Sequence, residues 1–151
     1  MTKYAHTNII CRDWRKLSEF YIEVFDCQPV PPARDLAGAW LDQATGLHGA
    51  HLTGQHLRLP GFGEHEPTLE IFQYDEMLER PAPPAANRPG LGHLAFEVEQ
   101  VEETLKALLA HGGHELGQVV KQEIAGVGVI TFTYASDPEG NILEIQSWQY
   151  F

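Results

Sequence analysis

Four residues carry the chemical interest of this sequence. His6 and His93 each stand near the start of a β-forming stretch. Glu70 and Glu144 each stand inside the phrase L-E-I, in L-E-I-F-Q-Y at 69–74 and in L-E-I-Q-S-W at 143–148. The histidines are 93 − 6 = 87 residues apart and the glutamates 144 − 70 = 74. His-to-Glu separation is 70 − 6 = 64 in the first half and 144 − 93 = 51 in the second. A carboxylate between Leu and Ile is costly to bury unless a cation or a donor meets it. Two imidazoles and two carboxylates together suit a borderline divalent ion with open coordination positions, namely Zn²⁺, Ni²⁺ or Co²⁺.

Taken singly, each of the four is also what the solvent-facing side of a half-exposed antiparallel strand shows. Their repeated placement in one order favours the metal. For all four to converge, equivalent elements of two halves must curl around a shared axis. The element pattern supports such a duplication. Residues 4–11 are rich in β-formers and read as a strand. Asp13 is a helix N-cap, and Trp14, Leu17, Phe20, Tyr21, Val24 and Phe25 recur at helical spacing over 14–25. Pro29, Pro31 and Pro32 break structure, and 60–63 is a loop. Short strands are expected at 39–41 and 50–52, and a clear one at 68–74. Residues 81–90 hold four prolines and a glycine and read as a linker. The pattern then restarts. A strand is expected at 92–98, followed by a helix carrying Val101, Leu105, Leu108 and Leu109 that ends at His111-Gly112-Gly113. Strands follow at 119–124, 128–134 and 142–148, the last two joined by an Asp137-Pro138-Glu139-Gly140-Asn141 turn. The expected fold is α+β: two β-α-β-β-β modules, 1–80 and 91–151, forming a curved mixed sheet around a metal-centred cavity within one domain of 1–151. The 13 extra residues of the first half fit the loose region before Thr68.

Composition narrows the function classes. The chain has 151 residues, 10 Lys and Arg against 21 Asp and Glu, and a net charge of −11. Phosphate backbones repel such a chain, so nucleic acid is excluded as a partner. No apolar run approaches the ~18 residues needed to cross a bilayer, so no membrane is expected either. Two cysteines, Cys11 and Cys27, make no disulfide framework. The start of the chain lacks the apolar stretch of a signal peptide, and the expected setting is cytoplasmic. No phosphate loop, nucleophile elbow or dinucleotide fingerprint is present. The other histidines read as bland. His48, His51, His56 and His65 fall in the loop-rich insertion and are expected at the surface, and His111 and His114 flank the end of the second helix.

The segments H-T-N-I, L-E-I-F-Q-Y, G-H-L-A-F-E-V-E-Q-V and D-P-E-G-N-I-L-E-I-Q together resemble the vicinal oxygen chelate superfamily. This group includes glyoxalase I, methylmalonyl-CoA epimerase, extradiol dioxygenases, fosfomycin-resistance enzymes and bleomycin-binding proteins. The resemblance implies paired β-α-β-β-β modules, one divalent metal, and a substrate chelated through two neighbouring oxygens. His6, Glu70, His93 and Glu144 fall where glyoxalase I has its four metal ligands. Dioxygenases of the group use three ligands, so a carboxylate at Glu70 counts against them. Methylmalonyl-CoA epimerases more often have glutamine there, and a lysine-bearing turn where this chain has Asp137-Pro138-Glu139. Bleomycin-binding members lack the ligands. Glutathione-using glyoxalases carry an arginine and an asparagine where this chain has Ile10 and Tyr74, so glutathione recognition is not implied.

The resemblance thus implies a metal-dependent lyase or isomerase of glyoxalase I type that works through an enediolate on a small α-carbonyl substrate. Glu144 is the implied base and Glu70 its opposite-face partner. An epimerase-like isomerase and a non-catalytic small-molecule-binding protein are the alternatives. Strand alternation puts Asn8, Phe72, Tyr74, Ala95, Gln146 and Trp148 on the face of the ligands, where they would line a partly aromatic substrate cavity. A half-barrel also leaves apolar sheet and edge strand exposed, so a homodimer is expected, with the site inside one chain or shared between two.

Overall fold

The computed structural model describes residues 1–64 and 67–151. His65 therefore lies outside the described residues. The chain divides into two compact units, Met1–Arg80 and Pro81–Phe151. Each is built on its own mixed sheet.

The first unit begins with strand β1 (His6–Ile10), helix α1 (Trp14–Phe25) and strand β2 (Gln28–Ala37). A short helix α2 (Ala39–Thr45) precedes strands β3 (His51–Arg58) and β4 (Thr68–Tyr74). The sheet order is β1-β4-β3-β2. Its first and last strands in sequence, β1 and β4, are parallel neighbours, and the other pairs are antiparallel. Asp13 caps α1 as its residue type suggests, with its Oδ1 accepting from the Lys16 N–H at 3.1 Å. The helix buries Trp14, Leu17, Phe20, Tyr21 and Phe25. Ile9, Cys11, Leu57, Leu69 and Ile71 of the unit are likewise buried. They occupy alternate strand positions, leaving His6, Asn8, His56 and Glu70 on the opposite face.

The second unit repeats the plan. Strand β5 (Leu94–Glu97) leads to helix α3 (Val101–Ala110), two edge pieces β6 (His114–Glu115) and β7 (Val120–Ile124), and the long hairpin of β8 (Gly128–Ser136) and β9 (Ile142–Tyr150). The order is β5-β9-β8-β6, with β7 also pairing with β8. β6 and β7 together take the place along β8 that β2 takes along β3. Gly113 ends the helix where a side chain has no room, since a Cβ there would lie 2.6 Å from the Ser136 carbonyl and 2.4 Å from a Leu108 methyl. The α+β class and the two β-α-β-β-β modules are as expected, and among the described residues each unit has one sheet that does not close into a barrel.

Three local expectations are corrected and one element is added. The three prolines at 29–32 do not break structure. They lie in β2, an edge strand that pairs on one side only, where a proline without an N–H is tolerated. Pro31 and Pro32 also fall at the shift of register between Val30 and Arg34. Residues 39–41 begin a helix and not a strand. Ala39, Leu41, Gln43 and Ala44 are helix formers, and Gly46 closes the turn at φ 72°. The expected strand at 50–52 extends to Arg58 as β3, so His51 and His56 are strand residues and not loop residues. Finally, β6 was not anticipated from the sequence, because two residues carry no periodicity.

Candidate functional site

In the first unit Glu70 projects from β4 with its backbone opposite Asn8 on one side and His56 on the other. His6 stands two residues before Asn8. Its Nε2 lies 3.0 Å from Glu70 Oε1. The other carboxylate oxygen is also taken, because His56 Nε2 lies 2.8 Å from Glu70 Oε2. The carboxylate is 13% exposed, against 43% for His6 and 19% for His56. Burial pushes the His56 pKa below the ordinary imidazole value, against the pull of Glu70, and Arg34 and His6 add to the lowering. A neutral His56 that faces a carboxylate must donate from Nε2. Its Nδ1 is then the acceptor for the Thr68 hydroxyl, a long contact at 3.5 Å.

The far end of this face is covered. Phe72, Leu52, Leu41 and Ala50 form a buried cluster, with Leu36 and Tyr74 packed against it. Leu41 belongs to α2, which is tied down by Asp42. The Asp42 carboxylate accepts N–H groups of Gly49 at 2.9 Å and Ala50 at 2.8 Å. Those two bonds hold its pKa below the ordinary carboxylate range. Gly54 is required beneath Phe72, since a Cβ there would lie 2.0 Å from the Ile71 carbonyl and 2.8 Å from the Phe72 ring. Phe72 and Tyr74 thus share the Glu70 face, as alternation demands, with Phe72 under the roof of α2.

The second unit places Glu144 on β9 opposite Ala95 of β5 and Tyr134 of β8. His93 stands two residues before Ala95, and its Nε2 lies 3.0 Å from Glu144 Oε2. Exposures again differ, 35% for the histidine and 13% for the glutamate. Tyr134 stacks edge-on against His93 at 5.0 Å between ring centroids. Burial raises its phenol pKa, and the Glu144 charge raises it further. Gln146 and Trp148 continue the same face, with Trp148 Nε1 donating to Gln146 Oε1 at 3.0 Å. Trp148 in turn stacks on Tyr150.

The structure brings His6 to Glu70 and His93 to Glu144. Among the described residues, no group of three or more His, Cys, Asp or Glu side chains is arranged to hold a metal ion. His56 and Tyr134 are the site residues that sequence reasoning missed. Both reach their glutamate through hairpin register. The hairpins differ in length, so His56 lies 70 − 56 = 14 residues before its glutamate and Tyr134 lies 144 − 134 = 10 before its own. No common spacing was there to be seen. His51, expected at the surface, bridges Asp35 at 2.6 Å and Asp75 at 2.7 Å. His48, His111 and His114 are exposed, and the His111 Nδ1 lies 2.7 Å from the Ala107 carbonyl.

Comparison with known proteins bears on the family and the fold. The family model described as Glyoxalase/Bleomycin resistance protein/Dioxygenase superfamily matches residues 3–145. A glyoxalase family protein from Bacillus cereus shares the fold with a TM-score of 0.84 at 17% identity, over 98% of this chain and 95% of that one. One from Enterococcus faecalis gives 0.58 at 25% identity, over 96% and 97%. The fosfomycin resistance protein FosX from Listeria monocytogenes gives 0.61 at 16% identity, over 99% and 95%. No curated protein matches the sequence.

Proposed function

The chain belongs to the Glyoxalase/Bleomycin resistance protein/Dioxygenase superfamily, and from that premise we propose a divalent-metal-dependent lyase or isomerase of glyoxalase I type, acting on a small α-carbonyl substrate. One observation carries the reading. In both units a histidine stands two residues before the position opposite a mostly buried glutamate, and in both its Nε2 reaches that glutamate at 3.0 Å. Two imidazole nitrogens and two carboxylates are donor types that a borderline divalent ion takes. His6, Glu70, His93 and Glu144 would hold it. An ion held there would supply positive charge to offset the charge developing on the substrate as a proton leaves carbon.

The chain's own residues do the remaining work. Glu144 takes the proton from one carbon and returns it to the next, and Glu70 is its opposite-face partner. Asn8 beside Glu70 and the Gln146 amide on the Glu144 face offer polar groups to a small organic substrate, and Trp148, whose indole N–H is taken by Gln146, offers an aromatic surface. Ile10 and Tyr74 offer no charge for a peptide carboxylate, so glutathione is not the expected substrate.

Metal analysis and solvent exchange test the proposal together. Protein purified without added metal or chelator should carry about one ion per chain. Added Zn²⁺, Ni²⁺ or Co²⁺ should raise the melting temperature, because an ion that binds only the folded state stabilises it. Deuterium should pass from solvent into 2-oxo compounds, hemithioacetals or acyl thioesters. Glu144→Gln should keep most of the metal and lose a factor on the order of 10²–10⁴ in exchange. His93→Ala should lose metal first. Absence of metal and of any thermal shift would sink the metal-dependent reading, and a filled site that exchanges nothing would assign a binding role.

A further inference from the structure

We propose that β7 is the seam between two copies of this chain. It pairs antiparallel with β7 of a second copy about a two-fold axis through Gln122, which sets Lys121 opposite Glu123 of that copy. The pairing requires nothing of the chemistry proposed above. β7 (Val120–Ile124) pairs with β8 on one side. Among the described residues, no strand pairs with its other side, and all five of its residues are exposed. In an antiparallel ladder every second residue turns its N–H and C=O away from the neighbour, so the open side carries unpaired donors and acceptors. The Glu123 carbonyl accepts the Gln122 side-chain amide at 3.1 Å, a bond made along the strand and not across a ladder. β2, at the corresponding edge of the first unit, is blunted by Pro29, Pro31, Pro32 and a shift of register. β7 has no proline, and its register with β8 is unbroken over all five residues.

The residues of the strand select its occupant. V-K-Q-E-I is complementary to its own reverse. With Gln122 opposite itself, paired positions sum to 2 × 122 = 244, and both 121 + 123 and 120 + 124 meet that sum. Lys121 then faces Glu123 of the second copy, and the two-fold repeats the pair. On the other face of the strand Val120 meets Ile124 of the second copy, again twice. Val120 is 44% and Ile124 39% exposed, so the pairing also takes apolar surface out of water. The chain has a net charge of −11, and two copies therefore repel over most of their surfaces. β7 carries one cation and one anion and escapes that repulsion. The same axis sets the turn at 125–127 beside residues 116–119 of the second copy, where the exposed Val127 and Leu116 lengthen the apolar contact.

Charge exchange and directed crosslinking of the full chain test this register. The dissociation constant of the dimer is read by sedimentation equilibrium, and circular dichroism checks that each variant folds. Lys121→Glu and Glu123→Lys each set like charges opposite one another at two symmetric places, and each should weaken the dimer by about tenfold or more. The double variant with both exchanges restores opposite charges and should regain most of that loss. Gln122→Cys should give a disulfide-linked dimer on mild oxidation, because directly opposite residues of an antiparallel pair lie within disulfide reach. Val120→Cys should not, because its counterpart in the second copy lies four residues along the strand, about 13 Å away. The native Cys11 and Cys27 are buried and do not compete. A parent that stays a single chain at micromolar concentration overturns the proposal. So does a dimer that both single charge variants leave at parental strength, since its seam is then elsewhere. A double variant as weak as the singles overturns the antiparallel register, as does a Gln122→Cys protein that crosslinks no better than Val120→Cys.

Discussion

Replacing Asp137 with Ala should remove about 3–4 kcal/mol from the stability of the second unit. Asp137 opens the turn that feeds β9, and it is 1% exposed. Its Oδ1 accepts the backbone N–H of Glu139 at 2.9 Å and of Asn141 at 3.0 Å, and its Oδ2 accepts the Asn141 side-chain amide at 2.8 Å. Hydrogen bonds to a charged group are each worth about 1.5 kcal/mol or more, which gives about 4–5 kcal/mol for three. They share one carboxylate and so add incompletely, which brings the figure to about 3–4 kcal/mol. With a urea slope of about 2 kcal/mol per molar, the midpoint should fall by about 1.5–2 M. Asp137→Asn keeps an oxygen for the two backbone donors and should recover more than half of the loss. The assay is urea denaturation followed by circular dichroism, with the slope compared between variants. A midpoint shift below about 0.5 M for Asp137→Ala at unchanged slope would falsify the reasoning. The turn would then be held by its backbone bonds alone, which run from Asp137 N–H to Asn141 O and from Gly140 N–H to Asp137 O.

The remaining predictions concern pH and assembly. Hydrogen bonds to Asp35, then to Asp75, raise the His51 pKa above the ordinary imidazole value of 6.5. A group whose folded pKa is raised adds stability that is fully present below the unfolded value and is lost as pH rises through the folded one. The stability difference between parent and His51→Gln should therefore be largest below about pH 6 and shrink on raising the pH, as read by urea titration at several pH values; a difference that grows with pH would reverse the assignment. For assembly, we propose a homodimer. Ile124, Val127, Tyr150 and Phe151 leave an apolar tip exposed on the second unit, where the Phe151 N–H meets the Val127 carbonyl. Light scattering should give 2 × 16.9 = 33.8 kDa, and a mass of one chain at micromolar concentration would remove the dimer.

How much was legible in the sequence depended on how local the signal was. Helix α1 was readable to the residue, because its cap, its period and its C-terminal change of pattern lie within 13–26. Strand β4 was equally clear from alternation. The prolines of β2 misled, because a proline is read as a breaker without knowledge of whether its strand lies at an edge. Helix α2 was missed because seven residues are too few to show a period, and its apolar triplet fits a strand as well. The His–Glu pairs were legible through repetition. His56 was not, because its partnership with Glu70 is set by the β3–β4 register, and nothing in the intervening residues fixes that register from sequence.

The repeat itself shows which geometry duplication preserves. In sequence the two His-to-Glu separations disagree, 64 against 51. In the sheets they agree, because the first and last strands of each unit are parallel neighbours and the glutamate faces the residue two beyond the histidine in both. Parallel pairing fixes that offset however long the connection between the strands becomes. Insertions therefore accumulate between them at little cost to the pair, as helix α2 does in the first unit and the break between β6 and β7 does in the second. What the antiparallel neighbour offers is under no such constraint. There the two copies have diverged to an imidazole and a phenol, and two identical carboxylates acquire different hydrogen bonding from that one difference.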